Sequence, residues 1–466
     1  MLRIFRHYIP KSLLLLGVAE GLILLVSIYV GATFDLAAAT FSATVTVNAD
    51  PSVLWWQAFV FCVAMLVGMV AMGFYQREQR DGPQATMVRL SLSFFVGFMV
   101  MALVYLMIPQ FVVGGLAFVV ALLSSFIGIA TCRLLCFART DSDMARRILV
   151  LGVGEKAKQI DNLRRASDRI GITIFGYVDI GKDIRQVDDA KVIRPKGTLR
   201  ELAEKFAVDE IVVAIDDRRD GLPLDEILDC KMHGVQIIEL PTFYERQLGK
   251  IKLDELKPSN LIYSDGFTQA ILKRTEKRVV DIVVSSAILI LTLPILVLTA
   301  LAIRIESRGP IFYRQERVGL RGNVFTVCKF RSMGEDAEDD GVAVWAQADD
   351  DRVTKVGWFI RKFRIDELPQ LFNVFNGDMS IVGPRPERPE FVDQLSSAIP
   401  YYDLRHHVKP GITGWAQVSY PYGASIKDSR EKLQYDLYYL KNYSLFLDIN
   451  ILLLTVQVIL WGKGAR

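Results

Sequence analysis

Five long apolar runs constrain this chain more than any other feature, because each must be buried in protein or placed in hydrocarbon. Four lie at residues 12–32, 53–74, 90–108 and 111–131, and a fifth at 282–303. Each approaches the roughly twenty residues that a helix needs to cross a bilayer. Yet 23% of the chain is charged, with a mean hydropathy of +0.28. That mixture predicts membrane segments joined to soluble domains.

The first four runs read as a four-span module over residues 1–140. The first is too long for a signal peptide alone and is not followed by a small-residue cleavage pattern. Arg3, Arg6 and Lys11 precede it, and Arg77, Arg80 and Arg89 separate the second run from the third. Arg133, Arg139, Arg146 and Arg147 follow the fourth, whereas residues 33–52 contain no Lys or Arg. The positive-inside rule then puts both ends of the module, and all that follows, on the cytoplasmic side of the membrane. Glu20, inside the first run, is expected to face another helix. Net charge is only +3, which gives no case for a nucleic-acid partner. Five cysteines, an odd number without a CxxC, suit a reducing compartment and exclude a zinc-knuckle pattern.

Residues 146–241 change texture to alternating strands and helices. Strands are predicted at 148–151, 173–178, 210–215 and 235–239, with a helix running from 155 to about 169, a βαβ pattern around a parallel sheet. Gly152, Gly154 and Ala157 form a GxGxxA turn between strand and helix, where a pyrophosphate could approach a helix N-terminus, and Asp179 lies where a ribose-binding acid could be. The same glycines serve tight turns without a ligand, so a regulatory or packing domain is the competing reading. Residues 242–272 read as a connector.

The fifth run should not span. Pro294 near its middle must kink or break the helix. Lys273, Arg274, Lys277 and Arg278 stand before it, and Arg304 and Arg308 after, so both ends belong on the cytoplasmic side. A re-entrant helix over 279–303 satisfies both constraints, with Asp281 pairing with Lys277 or Arg278. A kinked spanning helix is the alternative.

Residues 361–386 carry the densest chemistry: three cations, Arg361, Lys362 and Arg364, then Asp366 and Glu367, then a Gly-Pro-Arg-Pro loop. Asp366 is expected to cap a helix with Pro369 in its first turn. Leu368, Leu371, Phe372 and Phe375 would form one apolar face, and Gly377 the stop. Two acids at the positive end of a helix, between cations, could seat a phosphate, a metal and a carboxylate nucleophile. They could equally be a plain cap. Lys329 and Arg331 fall on one side of a strand predicted at 323–331, where they could meet a diphosphate or be exposed strand charges. Residues 334–341 form an acidic loop expected to be solvated. Residues 353–363 have the composition of an interfacial helix, and 445–461 of an interfacial or buried one.

Lys277-Arg278-x-x-Asp281, Lys329-Phe-Arg-Ser-Met333, Asp366-Glu-Leu-Pro-Gln370, Gly377-Asp-Met-Ser, Gly383-Pro-Arg-Pro386 and Lys409-Pro-Gly-Ile-Thr-Gly-Trp-Ala-Gln-Val418 occur in that order. From Lys273 onward this set resembles the bacterial sugar transferases, the monotopic polyprenyl-phosphate phosphoglycosyl transferases. The preceding modules resemble the long, exopolysaccharide-initiating members, and the connector resembles the branch linked with exosortase-type loci. The resemblance implies a membrane α plus α/β fold: a four-helix transmembrane module, a Rossmann-like α/β domain, and an α/β catalytic domain over 273–466 with a re-entrant helix. It implies transfer of hexose-1-phosphate from a UDP-sugar to undecaprenyl phosphate at the inner-membrane lipid surface. Asp366 would be the nucleophile, Glu367 the Mg2+ ligand, and Arg361 and Arg385 the phosphate binders. It also allows a homodimer. Two other readings compete: a membrane nucleotide-sugar oxidoreductase or dehydratase using the Gly152-Val-Gly154 domain, and a non-enzymatic polysaccharide-export scaffold.

Overall fold

A computed structural model describes all of the chain except residues 1, 5–6, 10, 42–50, 76–82, 139–144, 164–165, 170, 182, 196, 218–221, 257, 264–265, 268–270, 335–351, 422, 424 and 462–466. Most of the acidic loop at 334–341 lies outside the described residues. Two units divide the chain, residues 8–248 with 1–3, and 249–466 with 4–7. Two short strands, β1 (Leu2–Ile4) and β2 (His7–Ile9), pair near the N-terminus.

The first unit opens with α1 (Lys11–Phe41), α2 (Pro51–Ala71), α3 (Pro83–Met107) and α4 (Gly115–Ala138). These four, with one helix of the second unit, are the five among the described residues that are long and apolar enough to cross a membrane. α1 packs on α4 and α2, and α2 on α3. Contact is closest where small residues meet: a Cβ on Gly68 would lie 2.8 Å from the backbone nitrogen of Gly97, the small-residue packing expected where no hydrophobic drive separates helix from lipid. Glu20 is fully buried, paired with Arg133 at 2.6 Å and accepting from the Tyr75 hydroxyl. It faces other helices as expected. Arg133 corrects an expectation, since it is no loop cation but the buried partner of Glu20, whose charge would be costly alone.

A five-stranded parallel sheet follows, ordered β5-β4-β3-β6-β7. Its strands are β3 (Arg146–Leu151), β4 (Ile172–Val178), β5 (Val192–Ile193), β6 (Glu210–Val213) and β7 (Gln236–Glu239). Helices α5 (Glu155–Asp161), α6 (Leu199–Lys205), α7 (Leu224–Met232) and α8 (Leu240–Leu248) connect or follow them. Ile148 and Val150 enter one core and Leu149 and Leu151 the other, so β3 is apolar on both faces from Ile148 to Leu151. α5 is shorter than expected. It stops at Asp161, where Leu163 turns into the core, and Ala166–Arg169 is a separate 3-10 turn.

The second unit begins with α9 (Pro258–Tyr263) and α10 (Ile271–Glu306). An antiparallel hairpin comes next, β8 (Phe312–Val318) with β9 (Val324–Phe330). Then follow α11 (Lys355–Lys362), α12 (Gln370–Asn376), β10 (Ser380–Val382), α13 (Pro389–Ala398), β11 (Gly411–Thr413), α14 (Trp415–Ser419), α15 (Ile426–Lys441) and α16 (Leu445–Trp461). β10 and β11 pair in parallel. Val374, Ile381, Leu437, Tyr438 and Leu447 share one buried core, so α16 packs onto α15 and the small sheet.

α10 differs from expectation in two respects. Its helical backbone runs through Pro294 without a break, so of the kink or break expected there the break is absent, the ring removing one donor but not ending the helix. Asp281 pairs with neither Lys277 nor Arg278: it accepts from Ser380 Oγ at 2.9 Å and Ile381 N at 3.1 Å. Lys277 reaches Asp448 instead, at 2.7 Å. Arg278 donates to the Val374 and Phe375 carbonyls, both at 2.6 Å, a cation at the negative end of α12. The far end is held too. Arg331 donates to the carbonyls of Arg308 (2.8 Å) and Ser307 (3.1 Å), and Glu306 accepts from Val356 N at 3.1 Å.

Candidate active site

The turn between α11 and α12 builds the centre of the site. Arg364 adopts the left-handed conformation, φ 59°, and reverses the chain after α11. A 3-10 turn, Ile365–Glu367, follows, and α12 starts only at Gln370 with Pro369 at its cap position. Asp366 is therefore not the N-cap of a helix. The left-handed Arg364 forces a tight turn first, which holds the two acids ahead of the helix. The predicted apolar face is corrected as well. α12 buries Gln370, Leu371, Asn373 and Val374, while Phe372 (49%) and Phe375 (50%) are exposed. Gly377 ends the helix as expected, at φ 100°.

Asn373 locks this turn to the hairpin. Its side chain accepts from Cys328 N at 3.0 Å and donates to Thr326 O at 2.7 Å. Lys329, the next residue of β9, then meets Glu367. Three cations surround one oxygen of that carboxylate: Arg385 at 3.0 Å, Lys329 at 3.4 Å and Arg364 at 3.7 Å from Oε1. Burial would raise the Glu367 pKa, but these charges overcome it and hold the group well below the usual carboxylate range. Asp366 goes the other way. Burial first, and the negative charge of Glu367 second, push it up to about 6. Burial lowers Lys329, with Glu367 opposing. Asp366 Oδ1 is buried without a hydrogen-bond partner, an arrangement that is rare for a buried polar atom.

Of the expected site residues, the structure brings together Asp366, Glu367, Lys329 and Arg385. Arg331 is turned away: its guanidinium closes the end of α10 through Ser307 and Arg308, so it does not join Lys329 against a diphosphate. From the cationic stretch it is Arg364 that reaches Glu367; Arg361 sits in the last turn of α11. Sequence reasoning placed Arg364 only as a flanking cation. Its i,i+3 spacing to Glu367 was a usable signal, but its left-handed backbone was not.

The glycine-rich turn of the first unit is filled by its own acids. The amides of Glu155 and Lys156, which a pyrophosphate would use, donate to the Asp216 carboxylate at 2.8 and 3.0 Å. A Cβ on Gly154 would strike that carboxylate, and one on Gly152 would meet the Ala214 carbonyl. Ala157 is buried in the sheet core. Asp179 is bound to Arg185 and the Gly181 amide. The glycines here make room for the Asp216 carboxylate and the Ala214 carbonyl.

The sequence model described as bacterial sugar transferase matches residues 272–462. A UDP-glucose:undecaprenyl-phosphate glucose-1-phosphate transferase of Xanthomonas campestris pv. campestris is 31% identical over 342 residues, 70% of this chain and 69% of that protein. The chain belongs to the bacterial sugar transferase family. The chain is also 44% identical over 237 residues to a UDP-N-acetylgalactosamine-undecaprenyl-phosphate N-acetylgalactosaminephosphotransferase of Aeromonas hydrophila, covering 51% of this chain and 55% of the relative. A Klebsiella pneumoniae protein named UDP-glucose:undecaprenyl-phosphate glucose-1-phosphate transferase is 48% identical over 256 residues, 54% and 55% of the two chains. The chain thus spans just over half the length of these last two relatives.

Proposed function

We propose that this protein transfers hexose-1-phosphate, or an N-acetylhexosamine-1-phosphate, from a UDP-sugar to undecaprenyl phosphate and so starts exopolysaccharide assembly. The observation that carries this reading is Asp366, a half-buried carboxylate with one buried, unpartnered oxygen beside a three-cation cluster. In the first step a carboxylate oxygen of Asp366 attacks the sugar-bearing phosphorus. The bond from that phosphorus to the bridging oxygen breaks, and UMP leaves with the bond electrons. In the second step an oxygen of the lipid phosphate attacks the same phosphorus, and the Asp366 carboxylate is released. Splitting one displacement into two is the gain of a covalent route. Arg385, Lys329 and Arg364 offset the phosphate charge, Arg385 with a planar pair of donors.

A Mg2+ ion fits the donor set in the way such ions usually bind, through one or two carboxylates and the substrate's own phosphates. Glu367, next to Asp366, would hold the ion, which would supply charge neutralisation on the diphosphate. Among the described residues no third acid, His or Cys joins them.

The membrane arrangement belongs to the same proposal: α1 to α4 span the inner membrane, α10 enters and leaves by the cytoplasmic face, and the site faces the cytoplasm. It is supported by the cation distribution and by the anchoring of both ends of α10 in one hydrogen-bonded layer. The exposed Trp358, Phe359, Phe372 and Phe375 suit the bilayer interface, where a lipid phosphate meets a cytosolic nucleotide. Two substitutions and a substrate panel test the chemistry. Purified wild type with undecaprenyl phosphate should release UMP from at least one of UDP-glucose, UDP-galactose, UDP-N-acetylglucosamine and UDP-N-acetylgalactosamine. Asp366→Asn should release none while remaining folded, and Glu367→Gln should be severely impaired. Wild-type turnover by Asp366→Asn would rule out the covalent route.

A further inference from the structure

Arg385 must point a long, flexible side chain at Glu367, and the loop that carries it is held at every peptide. The Pro384 carbonyl accepts from Gly411 N at 2.9 Å, the Arg385 carbonyl from Arg405 Nη2 at 2.9 Å, and the Pro386 carbonyl from Arg317 Nη1 at 3.3 Å. Proline rings fix φ at 384 and 386, and the residue before each proline is biased to extended backbone. The remaining freedom is the rotation that swings the Arg385 carbonyl, and with it the direction of its Cα–Cβ bond. Arg405 is the donor on that carbonyl.

Arg405 is itself clamped. Its Nη1 donates to the Tyr402 hydroxyl at 2.6 Å, and its Nη2 lies 2.9 Å from Asp436 Oδ2. Arg405 is 6% exposed and Asp436 2%, so the pair is buried. A buried ion pair is a poor source of net stability, because desolvation offsets much of the attraction, and such pairs are better suited to fixing geometry. A small gap lined by Val318, Pro384, Arg385, His406 and Pro410 lies beside the loop. Arg405 and Asp436 come from a 3-10 turn at Tyr402–His407 and from α15, far in sequence from the dyad.

We propose that Arg405 is a positioning residue for Arg385, held in place by Asp436, and that it acts on catalysis only through the Arg385 carbonyl. The inference rests on the transfer reading above, since the rate of UMP release is its readout. The test is a double-mutant cycle of Arg405→Lys and Arg385→Lys. Lysine keeps the charge of Arg405 but cannot serve Tyr402, Asp436 and the carbonyl together. Alone, Arg405→Lys should lower kcat by about tenfold with little change in KM, while in the Arg385→Lys background it should cost less than about twofold, since coupled residues are non-additive. Asp436→Asn, which keeps shape but weakens the clamp, goes through the same cycle and decides the matter if Arg405→Lys fails to fold. Equal losses in both backgrounds would mean a general structural role and overturn the inference alone. No UMP from wild type with any sugar of the panel would overturn the transfer reading and this inference with it.

Discussion

Asp366 and Glu367 are neighbours in sequence with opposite electrostatic fates. Glu367 is buried and Asp366 half-buried, but the three cations converge on Glu367 and leave Asp366 with a burial cost and a negative neighbour. The consequence for a nucleophile is direct, because only the carboxylate form attacks. With Asp366 raised to about 6, its reactive fraction is nearly full above pH 7 and falls about tenfold per unit below pH 6. UMP release by wild type should therefore rise with pH through about 6 and then level off. An ordinary aspartate would hold its rate down to pH 4. A profile flat between pH 5 and 7 would remove the perturbed nucleophile from the mechanism.

At the scale of elements, the strands of the parallel sheet and the long apolar helices were legible because burial on two faces or in lipid writes itself into runs of Val, Ile and Leu. The two acids and their flanking cations were legible as a group. Their geometry was not. It depends on a left-handed Arg364, which no residue type announces, and on the partner of each cation: Arg331 closes a helix end, while Arg364 reaches the dyad. The glycine-rich turn was legible in the same limited way, since glycine signals close approach without saying whether a ligand or Asp216 approaches. Asn373 is the element-scale device that sequence reasoning did not single out. It joins α12 to β9 and so sets Lys329 against Glu367. Asn373→Ala should leave the Cys328 amide and the Thr326 carbonyl without that partner and destabilise the protein by roughly 2–4 kcal/mol. Phe372→Ala, on the exposed side of the same helix, should change stability by less than about 0.5 kcal/mol. Thermal unfolding of the purified proteins in detergent separates them, and equal Tm values for the two variants would show that the Asn373 link is not what ties helix to hairpin.

At the scale of the whole molecule, the two ends of α10 decide where the chemistry happens. A straight helix of 36 residues would be about 54 Å long, more than enough to cross roughly 30 Å of hydrocarbon. If it crossed, its anchors would lie on opposite sides of the membrane. Those anchors are connected, however. Arg278 binds the end of α12, Asn373 ties α12 to β9, and Arg331, just past β9, binds Ser307 and Arg308 after α10. A spanning α10 would require that hydrogen-bonded layer, with Lys329 and Glu367 inside it, to traverse hydrocarbon, where charged side chains are costly. The proposed re-entrant path removes this conflict. It predicts that cysteines placed at Asp189 before α10 and at Arg321 after it are both labelled by a membrane-impermeant maleimide from the cytoplasmic face, in inside-out but not right-side-out vesicles. Labelling of the two positions from opposite faces would mean that α10 spans. Labelling of both from the outer face would reverse the orientation and separate the site from its nucleotide substrate.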